Sequence, residues 1–302
     1  MTDAPPLTPR PRVIGFVGLG LLGLALALRL RAKGFELVGW NREPHRLDAL
    51  AHAGGSIAAT PREVAERADI LCLCVLDGNA VRDVVFGPDG LSAAPANGKP
   101  ILDFSTVDPE ETVAIARRAA ALGFTWIDAP VSGGPAAAAV GGLTVMVGGE
   151  DAAIDRVQHV LDAVASRVTR LGPVGTGQAM KVVNQALVGG TFVLVAEALA
   201  LARELGLPVE AVPGCLAGGM ADSAALQRAW PRMVAEEFDP PTGRAAQMLK
   251  DLDAVDRASC AAGLALPMLA LARERYRQYV DGGAGEQETV SIARLYGPRR
   301  PG

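Results

Sequence analysis

The sequence predicts an α/β chain in which a doubly wound parallel sheet over roughly residues 12–172 precedes an all-helical region. Three observations carry this. Short β-branched runs alternate with Ala/Leu-rich segments of helical length through the first half. A glycine-rich hexapeptide, Gly18-Leu19-Gly20-Leu21-Leu22-Gly23, joins the first strand to the first helix, and beyond Gly172-Pro173 no strand pattern recurs. Composition allows such a chain: 302 residues suffice for two cores, and half are apolar with 21% charged, which excludes a disordered chain.

Residues 1–12 are proline-rich with no apolar run before the first strand, so they read as a flexible tail and not a signal peptide. Val13–Val17 is the first strand. The helix after the glycine-rich turn runs to Lys33, Gly34 closes it, and Glu36–Trp40 is the second strand. Thr60-Pro61-Arg62-Glu63 has the form of a capping box with proline at the first helical position, opening a short helix to Ala68. Residues 70–76 form a continuous apolar strand, the pattern of a parallel sheet covered on both faces. Residues 100–104 are a further strand, and Asp108-Pro109-Glu110-Glu111 caps a helix through Ala121. Thr125–Asp128 and Leu143–Val147 are the last strands of the sheet, and Asp151–Val164 is a helix. One long helix is then expected over 175–205, with others near 208–217, 222–235, 243–263, 266–280 and 286–296. The expected domains are a tail at 1–12, a doubly wound α/β domain at 13–172 and an all-helical domain at 173–302.

Several function classes drop out. A net charge of −4, with no Lys/Arg cluster interleaved by aromatics, argues against nucleic acid or an acidic membrane surface as partner. Four cysteines form no CxxC pair, and Cys72 and Cys74 read as small hydrophobes of a strand. With three scattered histidines no metal site is expected. A reducing, cytoplasmic compartment follows. Residues 182–202 approach the length of a membrane span, but Asn184, Gln185, Gly189-Gly190 and Glu197 are awkward in lipid, so a helix buried inside the protein is expected.

Gly18-x-Gly20-x-x-Gly23 is informative because it follows a strand and opens a helix near the chain start. Gly18 makes the tight turn, Gly20 admits a pyrophosphate and Gly23 lets strand and helix pack closely. The helix N-terminus supplies N–H groups to the phosphates, as in a Rossmann-type site. The second strand ends in Asn41-Arg42. An acidic residue there would bind the adenosine 2′-hydroxyl of NAD; Asn41 does not repel a 2′-phosphate and Arg42, helped by Arg46, pairs with one. NADP is therefore the expected cofactor, with NAD the alternative. Of 29 basic residues only Lys33, Lys99, Lys181 and Lys250 are lysine. An ammonium loses its proton when desolvated and a guanidinium effectively does not, which singles out Lys181 and Lys250.

Four motifs in order give the chain a resemblance to the β-hydroxyacid dehydrogenase family over residues 13–296. They are the glycine turn, with Leu22 where methionine is usual; Asp128-Ala129-Pro130-Val131-Ser132-Gly133-Gly134; Gly175-Thr176-Gly177-Gln178-Ala179-Met180-Lys181-Val182-Val183-Asn184; and Lys250-Asp251-Leu252. The resemblance implies that Lys181 is catalytic and that Ser132, Gly133, Gly134 and Asn184 contact substrate. It also implies that Ser105, Thr106 and Lys250 lie near the nicotinamide, with Val75, Leu76 and Asn79 lining the same cleft. Gln185 departs from the family, which often has a second asparagine there.

The residue types suit that chemistry. Lys181 and Asn184 are three apart on an expected helix and project from one face. In carbonyl reduction an ammonium stabilises the developing alkoxide and hands over a proton; in oxidation the neutral amine accepts one, which requires a pKa lowered by apolar surroundings. Small residues and exposed amides at Ser132-Gly133-Gly134 suit a carboxylate. The resemblance thus implies an NAD(P)-dependent oxidoreductase interconverting a short 3-hydroxy acid and its semialdehyde. The alternatives are an imine reductase, where another residue generally stands at Lys181, or a non-catalytic nucleotide-binding module, which would lose that lysine. The apolar helix and thin second domain suggest surface buried between subunits, and the resemblance implies a homodimer or homotetramer.

Overall fold

The computed structural model describes residues 13–297, so the expected tail at 1–12 lies outside the described residues. The chain divides into two compact units, 1–181 and 182–302.

The first unit opens with β1 (Val13–Val17), α1 (Leu21–Ala32), β2 (Glu36–Trp40), α2 (Asp48–His52), β3 (Ser56–Ile57) and α3 (Pro61–Arg67). It continues through β4 (Ile70–Leu73), α4 (Gly78–Phe86), β5 (Pro100–Asp103), α5 (Pro109–Ala121) and β6 (Thr125–Asp128). These six strands form one all-parallel sheet in the order β3-β2-β1-β4-β5-β6. The order reverses at β1, the switch point outside whose strand ends such sheets bind ligands. One core, around Ile14, Phe16, Leu26, Leu30 and Ile127, covers one face. A second, around Val17, Leu71, Leu73, Val85 and Trp126, covers the other. Near-continuous burial of β4 and β5 follows from being covered on both sides.

Caps explain where the helices begin. Thr60 Oγ1 accepts from the Glu63 amide at the start of α3, Asp77 from Ala80 at α4, and Asp108 from Glu110 and Glu111 at α5. The strand expected over 70–76 stops at Leu73, because the chain turns into the Asp77-capped α4, and the strand expected over 100–104 stops at Asp103.

The expectation that Leu143–Val147 extends the main sheet is corrected. β7 (Val131–Ser132), β8 (Leu143–Val147) and β9 (Ala165–Arg170) form a separate three-stranded sheet, β7 antiparallel and β9 parallel to β8. α6 (Gly134–Val140) and α7 (Asp151–Val164) connect them.

α8 (Thr176–Glu204) begins in the first unit and continues into the second, which adds α9 (Val212–Leu216), α10 (Ala224–Ala235), α11 (Ala245–Ala261), α12 (Pro267–Tyr279) and a 3-10 helix at Thr289–Tyr296. Strands are absent from the described residues of this unit. Its core gathers Val195, Leu199, Trp230, Leu252, Tyr276 and Ile292. α8 is the single helix among the described residues long and apolar enough to cross a membrane, and only a third of its most apolar stretch is buried. The expectation of a helix buried all round is therefore met on one side: Val195 and Leu199 face the core, whereas Leu187, Leu194 and Leu201 are exposed.

Candidate active site

β1 delivers the chain into Gly18, whose φ is +93° and whose would-be Cβ lies 2.3 Å from the Cys74 carbonyl oxygen, so no side chain fits. A Cβ on Gly23 would stand 2.0 Å from the Gly18 oxygen; turn and helix close on each other only without one. Gly20 is the opposite case, with no atom within 4 Å of its would-be Cβ. It is the N-cap of α1, a helix with no acidic residue in its first turn and no side-chain cap. An open glycine before uncapped N–H groups at the positive end of a helix dipole fits a dinucleotide pyrophosphate.

The exit of β2 is tied to this turn. Asn41 is buried; its Oδ1 accepts from the Leu19 amide at 2.7 Å, and its Nδ2 donates to the Glu43 carbonyl at 3.1 Å and the Glu43 carboxylate at 2.9 Å. Both ends of the Asn41 amide are engaged within the chain. The Arg42 side chain is 84% exposed and lies 3.5 Å from the Glu43 carboxylate; Arg46 lies 3.6 Å from it.

At the carboxyl ends of β4, β5 and β6 the polar groups interlock. The Val75 amide donates to Ser105 Oγ at 3.0 Å, and the Ser105 amide donates to Asp103 Oδ1 at 2.9 Å. Asp103 is wholly buried. Burial pushes its carboxyl up to about 6, against the hydrogen bonds from Ser105 and with added repulsion from Asp128. Burial also raises Asp128, opposed by amide hydrogen bonds from Gly175 and Gln178 at 2.8 and 2.9 Å. Asp128 thus anchors the start of α8. The Cys74 thiol is pushed up to about 12 by burial, with Asp103 adding to it, and Cys72 is raised by burial too; neither is a nucleophile at neutral pH. Thr106 is half-buried, while Leu76 and Asn79 are exposed, and Asn79 Oδ1 accepts from Arg82.

Gln178 joins this cluster to α8. Wholly buried, it accepts from the Val107 amide at 3.2 Å and donates to the Ser105 carbonyl at 2.8 Å. One turn on, Lys181 is 8% exposed, and its Nζ donates to the Val131 carbonyl at 2.8 Å. That carbonyl directly precedes Ser132, Gly133 and Gly134, where φ values of +129° and +73° at the two glycines turn the chain from β7 into α6. The lysine amine and the small-residue loop are therefore adjacent.

In the second unit, Asn184 Nδ2 donates to Gln185 Oε1 at 2.8 Å, and Gln185 Nε2 to Asp251 at 2.6 Å. Lys250 is half-buried, 3.2 Å from the same carboxylate. Gln185, noted as a departure from the family pattern, thus links Asn184 to the late lysine motif. Sequence reasoning singled out neither Gln178, Asp103 nor Glu43. Gln178 stood inside a quoted motif, which was its only signal.

A family model described as the NAD binding domain of 6-phosphogluconate dehydrogenase matches residues 13–172, more than half the chain. A second, the NAD-binding region of NADP-dependent 3-hydroxyisobutyrate dehydrogenase, matches residues 175–296. The 2-hydroxy-3-oxopropionate reductase of Escherichia coli K12 is 35% identical over 92% of this chain and 95% of its own length. The chain belongs to the β-hydroxyacid dehydrogenase family. It is an NAD(P)-dependent hydroxyacid dehydrogenase by that membership, and two further relatives agree. L-threonate dehydrogenase of Cupriavidus necator is 31% identical over 94% of this dehydrogenase and 96% of its own length. The solved 3-hydroxyisobutyrate dehydrogenase of Salmonella typhimurium superimposes with a TM-score of 0.87 at 30% identity, covering 94% of this chain and 99% of that one. An imine reductase from a Pseudomonas species, at 21% identity and a TM-score of 0.64, shares the fold alone.

Proposed function

We propose that this dehydrogenase interconverts a short 3-hydroxy acid and its semialdehyde, with Lys181 as acid and base. The observation that carries the reading is the Lys181 amine, sequestered from solvent and 2.8 Å from the carbonyl that leads into Ser132-Gly133-Gly134. A substrate carboxylate held by that loop brings its reacting carbon's oxygen within reach of Nζ, which donates a proton as the alkoxide forms and recovers it in oxidation. Asn184, one turn along α8, supplies a further hydrogen bond to substrate. The bound nicotinamide supplies or removes the hydride. Relatives bearing the names 2-hydroxy-3-oxopropionate reductase and 3-hydroxyisobutyrate dehydrogenase support this substrate class.

Within the cofactor site, Gly18, Leu19, Gly20, Leu21, Leu22 and Gly23 hold the pyrophosphate and Asn41 braces the turn. Val75, Leu76, Asn79, Ser105, Thr106 and Lys250 attend the nicotinamide half. Arg42, exposed at the β2 exit, takes a 2′-phosphate, so NADP is the preferred cofactor. Residues 13–172 serve as the dinucleotide domain and 173–302 as the substrate and oligomerisation domain. Leu187, Leu194 and Leu201 are exposed at seven-residue intervals on α8, which supports a homodimer or homotetramer built on the helical domain. Free cysteines, two of them exposed, support a cytoplasmic location.

The test is NADPH oxidation with tartronate, methylmalonate and succinic semialdehydes, glyoxylate and a cyclic imine. Turnover of at least one semialdehyde, lost in Lys181→Ala, is expected. Turnover of the imine alone, or full activity in Lys181→Ala, overturns the reading.

A further inference from the structure

The position after β2 that sequence reasoning weighed for cofactor choice is Asn41, yet the only negative charge beside the two candidate arginines among the described residues there is two residues on. Glu43 is held from three sides. Asn41 Nδ2 donates to its Oε2 at 2.9 Å, Arg42 Nη2 lies 3.5 Å from its Oε1, and Arg46 Nε lies 3.6 Å from its Oε2. Asn41 is itself fixed, through Oδ1, to the Leu19 amide of the phosphate-binding turn, so the carboxylate's place is set by the turn and not by its own flexible stem. The Arg46 Nε is buried and has no hydrogen-bond partner, the Glu43 carboxylate at 3.6 Å being too far to count as one.

We propose that Glu43 is a specificity-determining residue for the cofactor, its carboxylate occupying the two guanidinium groups that a 2′-phosphate would use and so weakening discrimination in favour of NADP. The proposal rests on the 2′-phosphate reading of Arg42 given above and deepens it. A 2′-phosphate brings up to two negative charges and three acceptor oxygens to this place. To pair with Arg42 and satisfy Arg46 Nε it must displace Glu43 or bear its repulsion. NADH, whose 2′-hydroxyl is neutral and accepts or donates a single hydrogen bond, meets no such opposition and finds in Glu43 an acceptor. Hydrogen bonding from Asn41 holds the Glu43 carboxyl below its usual range, so the opposing charge is present across neutral pH. The three side chains are substantially solvated, at 84%, 32% and 42% exposure, so each pairing is worth little and the two together amount to roughly tenfold in affinity.

Glu43→Gln removes the charge while keeping an oxygen for Asn41 Nδ2. Dissociation constants of NADPH and NADH are measured on the full chain by nucleotide fluorescence, without turnover, in low and high salt. The expected result is a roughly tenfold tighter NADPH complex, an NADH constant changed less than twofold, and a gain that shrinks in high salt. NADH binding doubles as the control for folding, and Glu43→Ser repeats the test without the amide. In Arg42→Ala/Glu43→Gln the gain disappears. An NADPH constant unchanged in both single variants, or both cofactors tightened equally, overturns the proposal. The underlying reading fails separately: a wild-type preference for NADH that Arg42→Ala leaves untouched sinks the 2′-phosphate assignment, whatever Glu43→Gln does.

Discussion

Replacing Asp103 with asparagine removes a buried carboxyl that destabilises the native state once it ionises. Asp103 is wholly buried at the end of β5; one oxygen accepts from the Ser105 amide and the other has no hydrogen-bond partner. Its folded pKa is pushed from 3.8 to about 6, chiefly by burial. Below the unfolded value both states are protonated and the residue does not affect stability. Between 3.8 and about 6 the native state holds a proton that the unfolded state has released, so stability falls as pH rises. Above that window the loss is complete at about 3 kcal/mol. Asparagine keeps an oxygen for the Ser105 amide and cannot ionise. Its own buried N–H groups impose a penalty of about 1–3 kcal/mol that is the same at every pH. The quantity to measure is therefore the change in the variant-minus-wild-type difference. Between about pH 3 and pH 8 that difference should move by about 3 kcal/mol in the variant's favour. For a unit of this size that is about 6–12 °C in Tm. Thermal melts by circular dichroism across that range test it. A difference that stays flat within about 2 °C refutes the reasoning, because Asp103 would then titrate alike in both states.

Lys181→Ala should lower kcat/KM by about 10³ or more, several kcal/mol of transition-state stabilisation, while the NADPH dissociation constant stays within twofold; equilibrium binding and steady-state kinetics check this. Gly20→Ala should fold normally, its Cβ meeting no protein atom within 4 Å, yet bind cofactor at least about tenfold more weakly. Gly23→Ala, 2.0 Å from the Gly18 oxygen, should lose stability and cofactor together, so melting and titration separate the two. Gln178→Leu strips the Val107 amide and Ser105 carbonyl of their partners and should cut kcat about 10–100-fold with a smaller change in cofactor affinity. Leu194→Asp, on the exposed stripe of α8, should yield monomers by light scattering without lowering the Tm of the isolated chain by more than about 2 °C.

The sheet was legible where the pattern is local. β1, β2 and β6 and helices α1, α3, α5 and α7 match their sequence signals within a residue or two, because β-branched runs and N-caps act over a few positions. β9 was not, since Ala165–Arg170 is largely exposed and polar and is a strand only because β8 pairs with it. α6 was hidden for a related reason: Gly-Pro-Ala-rich sequence reads as loop, and its start depends on two glycines at positive φ. In the candidate site, spacing pointed to Gly18, Gly20 and Gly23, whose geometry suits a tight turn, and rarity as a lysine in apolar sequence pointed to Lys181, which is buried. Gln178 was not, because its partners are more than 70 residues away and an amide carries no charge to betray it. Asp103 went unremarked because whether a carboxylate at a strand end is buried depends on what covers it.

The buried polar groups at the strand ends of the first unit form a linked set that fastens the start of α8, with the Lys181 bond beside it. Val75 leans on Ser105, Ser105 on Asp103 and Gln178, Gln178 and Gly175 on Asp128, and Lys181 on Val131. Apolar contacts would tie these strand ends together too, but van der Waals contacts are non-directional and allow sliding by fractions of an ångström. Hydride transfer tolerates less, since reacting atoms must sit about 3–3.5 Å apart and aligned. Hydrogen bonds to main-chain atoms fix both distance and direction, and in a buried setting each lost bond leaves a group whose desolvation is uncompensated. The set therefore resists gradual distortion: a shift of α8 relative to the Ser105 loop breaks the Gln178 bonds at both ends together. That all-or-none character explains why a wholly buried amide and two destabilised carboxyls persist beside an otherwise apolar core. Their penalty falls on stability, and what they supply is a fixed relation between the start of α8, which carries Lys181, and the ends of β5 and β6.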